Sequence, residues 1–207
     1  MLKKEKIFFQ GDSITDWGRD RSDNHNLAGF SKLVADHFGD EFEYVNYGIS
    51  ADTTRKLLAR HEKEFLKEKA DILVLMIGIN DVWRLFDNHY EDAVKEDECV
   101  SNIVKVVKIT KEINPNVKII FLEPYLVPGP LPELAYARGQ FESHLNAIRK
   151  NIPQLVDRYV ETYEEFLGLT EKGIIVAGDG VHPSEIGLEN LANKVIYSIN
   201  DLLINKR

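Results

Sequence analysis

Ser13, in Gly11-Asp12-Ser13-Ile14-Thr15, and the pair Asp179 and His182, in Gly178-Asp179-Gly180-Val181-His182-Pro183, have the residue types and spacing for nucleophilic chemistry. A serine hydroxyl attacks well only when a base takes its proton, and an imidazole serves as that base when a third group fixes its tautomer and supports the cation that forms. Asp179 and His182 can supply both functions from one loop. Pro183 biases His182 toward an extended backbone, and Gly178 and Gly180 permit a tight curl. Acyl transfer also needs donors aimed at the developing oxyanion. The amide of Gly48, in Asn46-Tyr47-Gly48-Ile49-Ser50, and the side-chain NH₂ of Asn80, in Gly78-Ile79-Asn80-Asp81, are candidates. Each stretch also has a plainer reading, as a turn, a helix N-cap or a capping loop with a surface histidine. Their common placement after strand-like runs, in an order that suits one cleft, favours the chemical reading. Thr15 stands where a Gly-x-Ser-x-Gly elbow needs its second glycine, so that arrangement is disfavoured.

The elements that must position these residues follow from the hydrophobic pattern. Apolar or β-branched runs alternate with helical periodicity, the signature of an α/β protein with a parallel sheet. Strands are expected at Ile7–Phe9, Tyr44–Asn46, Ile72–Ile77, Lys118–Leu122 and Tyr159–Glu161, and the wholly apolar third run suits a central strand buried on both faces. Helices are expected over Thr53–Lys69, Val94–Ile113, Phe141–Arg158 and Ser184–Leu203. Asn114-Pro115-Asn116 ends the second of these, because proline cannot continue a helix. The proline-rich stretch Glu123–Pro132 is expected as a long loop, either a rigid surface connection or the rim of a cleft or subunit contact.

At 207 residues, with 43% hydrophobic and 29% charged residues, the chain is expected to fold as a single domain over residues 1–207. No apolar run approaches the roughly 18 residues of a membrane helix, and no secretory leader is visible, so a soluble, cytoplasmic protein without membrane partners is expected. One cysteine, Cys99, fits a reducing compartment. A net charge of −8 argues against nucleic acid as partner. His25, His37, His61, His89 and His144 lack ligand spacing and read as solvated or capping residues, so no metal site is expected. The Lys/Glu-rich segment from His61 to Lys69 reads as a solvated helix face.

The four blocks around Ser13, Gly48, Asn80 and Asp179-His182, spanning residues 11 to 183, resemble those of the SGNH, or GDSL, hydrolases. The resemblance implies a flavodoxin-like three-layer sandwich with a five-stranded parallel sheet, and two-step ester hydrolysis without metal or organic cofactor. It implies Ser13 as nucleophile and backbone oxyanion donor, Gly48 and Asn80 as the other donors, His182 as general base and then acid, and Asp179 as its orienting group. Gly11-Asp12-Ser13-Ile14-Thr15-Asp16-Trp17-Gly18-Arg19 and Gly78-Ile79-Asn80-Asp81-Val82-Trp83-Arg84 resemble more narrowly the bacterial acetylxylan esterases of this superfamily, which deacetylate xylo-oligosaccharides. Gly178 departs from that pattern, which implies an aromatic residue there to shape the small acyl pocket.

Trp17, Trp83 and Arg84 lie beside these stretches and can contact a sugar ring or close the acyl pocket, although either tryptophan can equally be a core residue. The expected partner is a small-molecule or oligosaccharide ester, and a homo-oligomer is expected from the resemblance. An acyl-CoA thioesterase or lysophospholipase would share the same residues. An acyltransferase would pass the acyl group to an alcohol, and a flavodoxin-like binding protein would hold a ligand without chemistry.

Overall fold

Strand β1 (Glu5–Gly11) lies between β2 (Phe42–Asn46) and β3 (Ile72–Met76), and β4 (Lys118–Leu122) and β5 (Arg158–Val160) extend the sheet beyond β3. All four pairings are parallel. The computed structural model describes residues 4–130 and 133–204. Successive side chains of a strand point to opposite faces. Phe9, Val74 and Ile120, in register across three strands, enter one core, while Phe8, Leu73 and Ile119 enter the other. Helices α2 (Gly29–Phe38) and α8 (Glu185–Ile204) cover the first face, and α3 (Thr54–Glu68) and α5 (Glu96–Ile113) the second. α6 (Glu133–Asn151) contributes to both, with Phe141 and Leu145 on one side and Ile148 on the other. The result is the doubly wound α/β sandwich, in which β1 and β3 flank the point where the strand order reverses.

The five expected strands are present within two residues of their anticipated ends, and α5 stops at Ile113 with Asn114 as its cap. The helix expected over Phe141–Arg158 is displaced toward the N-terminus. It begins at Glu133 and ends at Asn151, because Pro153 has no N–H to continue it and opens a 3₁₀ turn instead. Helix α2, and the shorter α1 (Ser13–Asp16), α4 (Ile79–Trp83) and α7 (Tyr163–Glu171), were not anticipated. α2 could have been read from Phe30, Val34 and Phe38, which recur every fourth residue and are all buried.

The stretch after β4 is neither surface connection nor rim over its first half. Tyr125, Leu126 and Val127 are fully buried, and Val127 N–H donates to Gly180 O at 3.0 Å, so this segment underlies the Asp179–His182 loop. Leu131 and Pro132 lie outside the described residues.

Two histidines read as solvated or capping are instead buried. His144 places its ring nitrogens 3.1 Å and 2.9 Å from the carbonyls of Gln140 and Val94. His61 is fully enclosed, with Nδ1 2.7 Å from Gln10 Oε1 and Nε2 2.8 Å from Thr110 Oγ1, and Phe65, one turn on, is buried beside it. The charged stretch of α3 therefore has one face in the core. Burial, reinforced by the Arg60 cation, pushes the His61 imidazole down to about 4, which keeps it neutral. The unfolded chain binds this proton at an ordinary 6.5, so stability conferred by the neutral ring is present above 6.5 and lost as pH falls toward 4. Denaturant titrations of wild type and His61→Gln should show about 2 kcal/mol less pH-dependent loss in the variant between about pH 7.5 and 5. Parallel curves would place the loss elsewhere.

Candidate active site

Three loops leave the carboxyl ends of β1, β2 and β3, and the Asp179–His182 loop meets them from before α8. Ser13 is the first residue of α1. Asp12 caps that helix, its Oδ1 accepting Ile14 N–H at 3.0 Å. Ser13 Oγ lies 2.9 Å from His182 Nε2, and His182 Nδ1 lies 2.6 Å from Asp179 Oδ2. Asp179 Oδ1 also accepts the amides of Val181 at 2.9 Å and His182 at 2.7 Å. Gly180, at φ +87°, supplies the curl, and an antiparallel bridge between Ala177 and Pro183 closes the loop base. Ser13, His182 and Asp179 thus form one hydrogen-bonded chain.

The cleft beside Ser13 has a volume of about 290 Å³ and is walled by Ser50, Ala51, Asn80, Trp83, Arg84 and the His182 loop. Asn80 Nδ2 donates to Asp52 O at 3.0 Å, which leaves its second N–H for the cleft. Asp81 pins the same helix from behind by accepting Thr54 N–H at 2.7 Å and Thr54 Oγ1–H at 2.5 Å. Ser50 Oγ–H donates to Asp16 Oδ2 at 2.6 Å and ties the β2 loop to α1.

Gly48 does not line the cleft, and its expected place as an oxyanion donor is not supported. It is buried, and its N–H is taken by Asn46 Oδ1 at 2.7 Å. A Cβ at Gly48 would overlap the backbone of Thr15 and Asp16, so the glycine is needed for close approach between the β2 loop and α1. Ala51 stands in the cleft instead. It occupies the third position of a turn closed by Asp52 N–H to Ile49 O at 3.2 Å, with φ +72°, a conformation that usually takes glycine. The N–H groups of Ser13 and Ala51 have no hydrogen-bond partner among the described residues. The sequence carries no signal for a left-handed alanine, and Ala51 was missed for that reason.

Trp83 and Arg84 line the cleft, whereas Trp17 does not. Trp17 caps α1 at φ 46° and lies against Gly29, where a Cβ would stand 2.6 Å from its ring. It lines a separate groove with Leu33, Glu185 and Leu188.

Two carboxyls near His182 have opposite environments. Asp179 is half-exposed and partly desolvated, but the bonds from His182 and Val181 more than offset this and hold it down at about 2. Asp12 is wholly buried, with one oxygen unpartnered, and desolvation pushes it up to about 7. His182 is raised above its ordinary 6.5, first by its hydrogen bond to Asp179. Among the described residues no group of three or more His, Cys, Asp or Glu side chains is placed to hold a metal ion.

A family model for GDSL-like lipases and acylhydrolases matches residues 9–189. The chain belongs to this family. A curated acetylxylan esterase from Geobacillus stearothermophilus is 32% identical over 212 residues, covering 94% of each chain. A solved structure of an acetyl-xylooligosaccharide esterase from that organism, Axe2, superimposes with a TM-score of 0.82 at 30% identity, over 95% of this chain and 94% of the other. LAE5, an alpha/beta hydrolase from a lake metagenome, gives 0.81 at 28% identity over 96% of each. Structures described as catalytic mutants of Axe2 replace a serine, an aspartate and a histidine by alanine, the last two three positions apart, as Asp179 and His182 are.

The two glycine-like positions of the β2 loop should respond oppositely. Gly48→Ala should cost about 2 kcal/mol or more through the backbone overlap, whereas Ala51→Gly should leave stability unchanged or raise it by about 1 kcal/mol as strain is relieved. Thermal unfolding of both variants checks this, and a harmless Gly48→Ala would show that the β2 loop does not depend on a glycine for its approach to α1.

Proposed function

We propose that this chain is a serine ester hydrolase that removes short acyl groups, chiefly acetyl, from carbohydrate esters such as acetylated xylo-oligosaccharides, with residues 1–207 acting as one hydrolase domain. The observation that carries the reading is the unbroken chain Ser13–His182–Asp179 opening on a cleft that also holds Asn80. The acetylxylan esterase relative supports the acetyl and sugar assignment. The buried Cys99, which forms no disulfide, fits work in the cytoplasm, and no helix among the described residues is long and apolar enough to cross a membrane.

In this mechanism His182 Nε2 takes the Ser13 proton as Oγ attacks the ester carbonyl. Asp179 keeps the other ring nitrogen protonated and supports the imidazolium. Negative charge grows on the carbonyl oxygen, and the N–H groups of Ser13 and Ala51 and the Asn80 amide are the donors offered to it. Ala51 thus replaces Gly48 in the role that the family resemblance suggests. The imidazolium then gives that proton to the sugar oxygen as the ester C–O bond breaks, which leaves the acyl group on Ser13 Oγ; water, deprotonated by His182, attacks this acyl-enzyme, and the acid leaves as Ser13 regains its proton.

Gly178 does not line the cleft and has open space around its Cβ position, so it does not supply the aromatic wall that the narrower resemblance implies there. This keeps the thioesterase or lysophospholipase reading in view. Hydrolysis of p-nitrophenyl esters from acetyl to octanoyl by wild type and Ser13→Ala decides between them. Activity should peak at acetyl and vanish in the variant; a peak at octanoyl moves the assignment to long-chain substrates, and activity indifferent to Ser13 ends the hydrolase reading.

The base must be neutral to act, so kcat/KM should rise with pH through the His182 pKa, above the ordinary 6.5. Asp179→Asn removes the charge that holds the proton, so that limb should move to lower pH with a much lower plateau. Asp12 also acts on His182 electrostatically and titrates near 7, so Asp12→Asn should move the limb in the same direction by a smaller amount. Stopped assays across pH 5 to 9 check both, and a limb unmoved in Asp179→Asn would remove Asp179 from its role.

A further inference from the structure

A side-chain amide can present either its oxygen or its nitrogen to a ligand, and only the nitrogen stabilises an oxyanion. What decides the matter at Asn80 is its two fixed partners. Asp52 O, a carbonyl, can only accept, and takes Asn80 Nδ2–H at 3.0 Å. The Arg84 guanidinium can only donate, and its Nη2 lies 3.3 Å from Asn80 Oδ1. Arg84 is itself held: Nη1 pairs with Asp87, and its side chain is 11% exposed. Both terminal nitrogens of the guanidinium are therefore engaged, one turn along α4 from Asn80.

Building on the oxyanion role given to Asn80 above, we propose that Arg84 is a positioning residue for ester hydrolysis. Its guanidinium, held by Asp87, locks the Asn80 amide so that NH₂ rather than oxygen faces the acyl carbonyl. This differs from the sugar contact expected for Arg84 from its place in the sequence. The Asp52 carbonyl belongs to the turn that carries Ala51, so the lock also ties the Asn80 donor to the Ala51 donor. Without Arg84, only the Asp52 carbonyl opposes turning of the amide, so its oxygen is held less firmly away from the developing charge.

The test is a double-mutant cycle on p-nitrophenyl acetate, with thermal unfolding of every variant alongside. Asn80→Ala should lower kcat by roughly a hundred- to a thousandfold. Arg84→Ala should lower kcat by about ten- to a hundredfold with KM within about threefold, and adding it to Asn80→Ala should cost nothing more, because the residue acts through the amide. Arg84→Lys, which can still donate to Oδ1, should recover part of the loss. Losses that multiply in the double variant, or a rise in KM with kcat intact, would overturn the proposal while leaving the oxyanion role of Asn80 standing. An Asn80→Ala enzyme with unchanged kcat would instead overturn that role itself. If Arg84→Ala does not fold, Asp87→Asn takes its place in the cycle, with a severalfold loss of kcat expected in the wild-type background and none in Asn80→Ala.

Discussion

Loops that leave the carboxyl edge of a parallel sheet end the strand ladder abruptly and must satisfy their backbone groups by other means. Here the means are short side chains with two oxygens or an amide. Asp12 takes the amide of Ile14, Asn46 spans Gly48 N–H and Thr15 O, and Asp81 takes Thr54. Glu123, fully buried at the end of β4, accepts the amides of Thr162 and Tyr163 together with the Arg149 guanidinium. The loops after β1, β2 and β3 are fastened in this way to neighbouring loops or helices, and the Asp179–His182 loop by the backbone bond from Val127 to Gly180. The polar edge of the sheet therefore holds the loops of the site, and the apolar cores below it fix where the strands end.

This division explains what could be read from the sequence. The strands, the sandwich and the Ser13, His182 and Asp179 set rest on periodicity and on motif residues that need no knowledge of neighbours. Gly48 and Ala51 could not be separated in that way. Both lie in one loop, and the decision between them rests on a backbone contact with α1 and a hydrogen bond from Asn46 that exist only in three dimensions. His61 failed for a related reason: its flanking charges suggested a solvated face, while Gln10 and Thr110, from β1 and α5, enclose it. The start of α6 was missed because prolines in the preceding stretch masked the onset of helical periodicity.

The same polar edge carries strain and desolvation that a purely structural protein would avoid. Ala51 holds a left-handed backbone, and Asp12 keeps an oxygen without a partner in a fully buried site. Both sit within the loops that bracket Ser13. Such positions persist only where the surroundings over-determine them, and the Asp16–Ser50 and Asn80–Asp52 bonds supply that constraint on either side of Ala51.

The choice of Asp179 rather than Asp12 as the partner of His182 follows from hydrogen bonding rather than proximity in the motif. Both carboxyls act on the imidazole. Asp179 receives three donors and stays ionised down to about 2, whereas Asp12 receives one and holds its proton to about 7. A pair of acids pushed apart in this way divides the work. One supplies a permanent negative charge aligned with Nδ1, and the other caps α1 while adding little charge below neutrality. As Asp12 ionises above 7 it favours the imidazolium form of His182, in the same direction as Asp179.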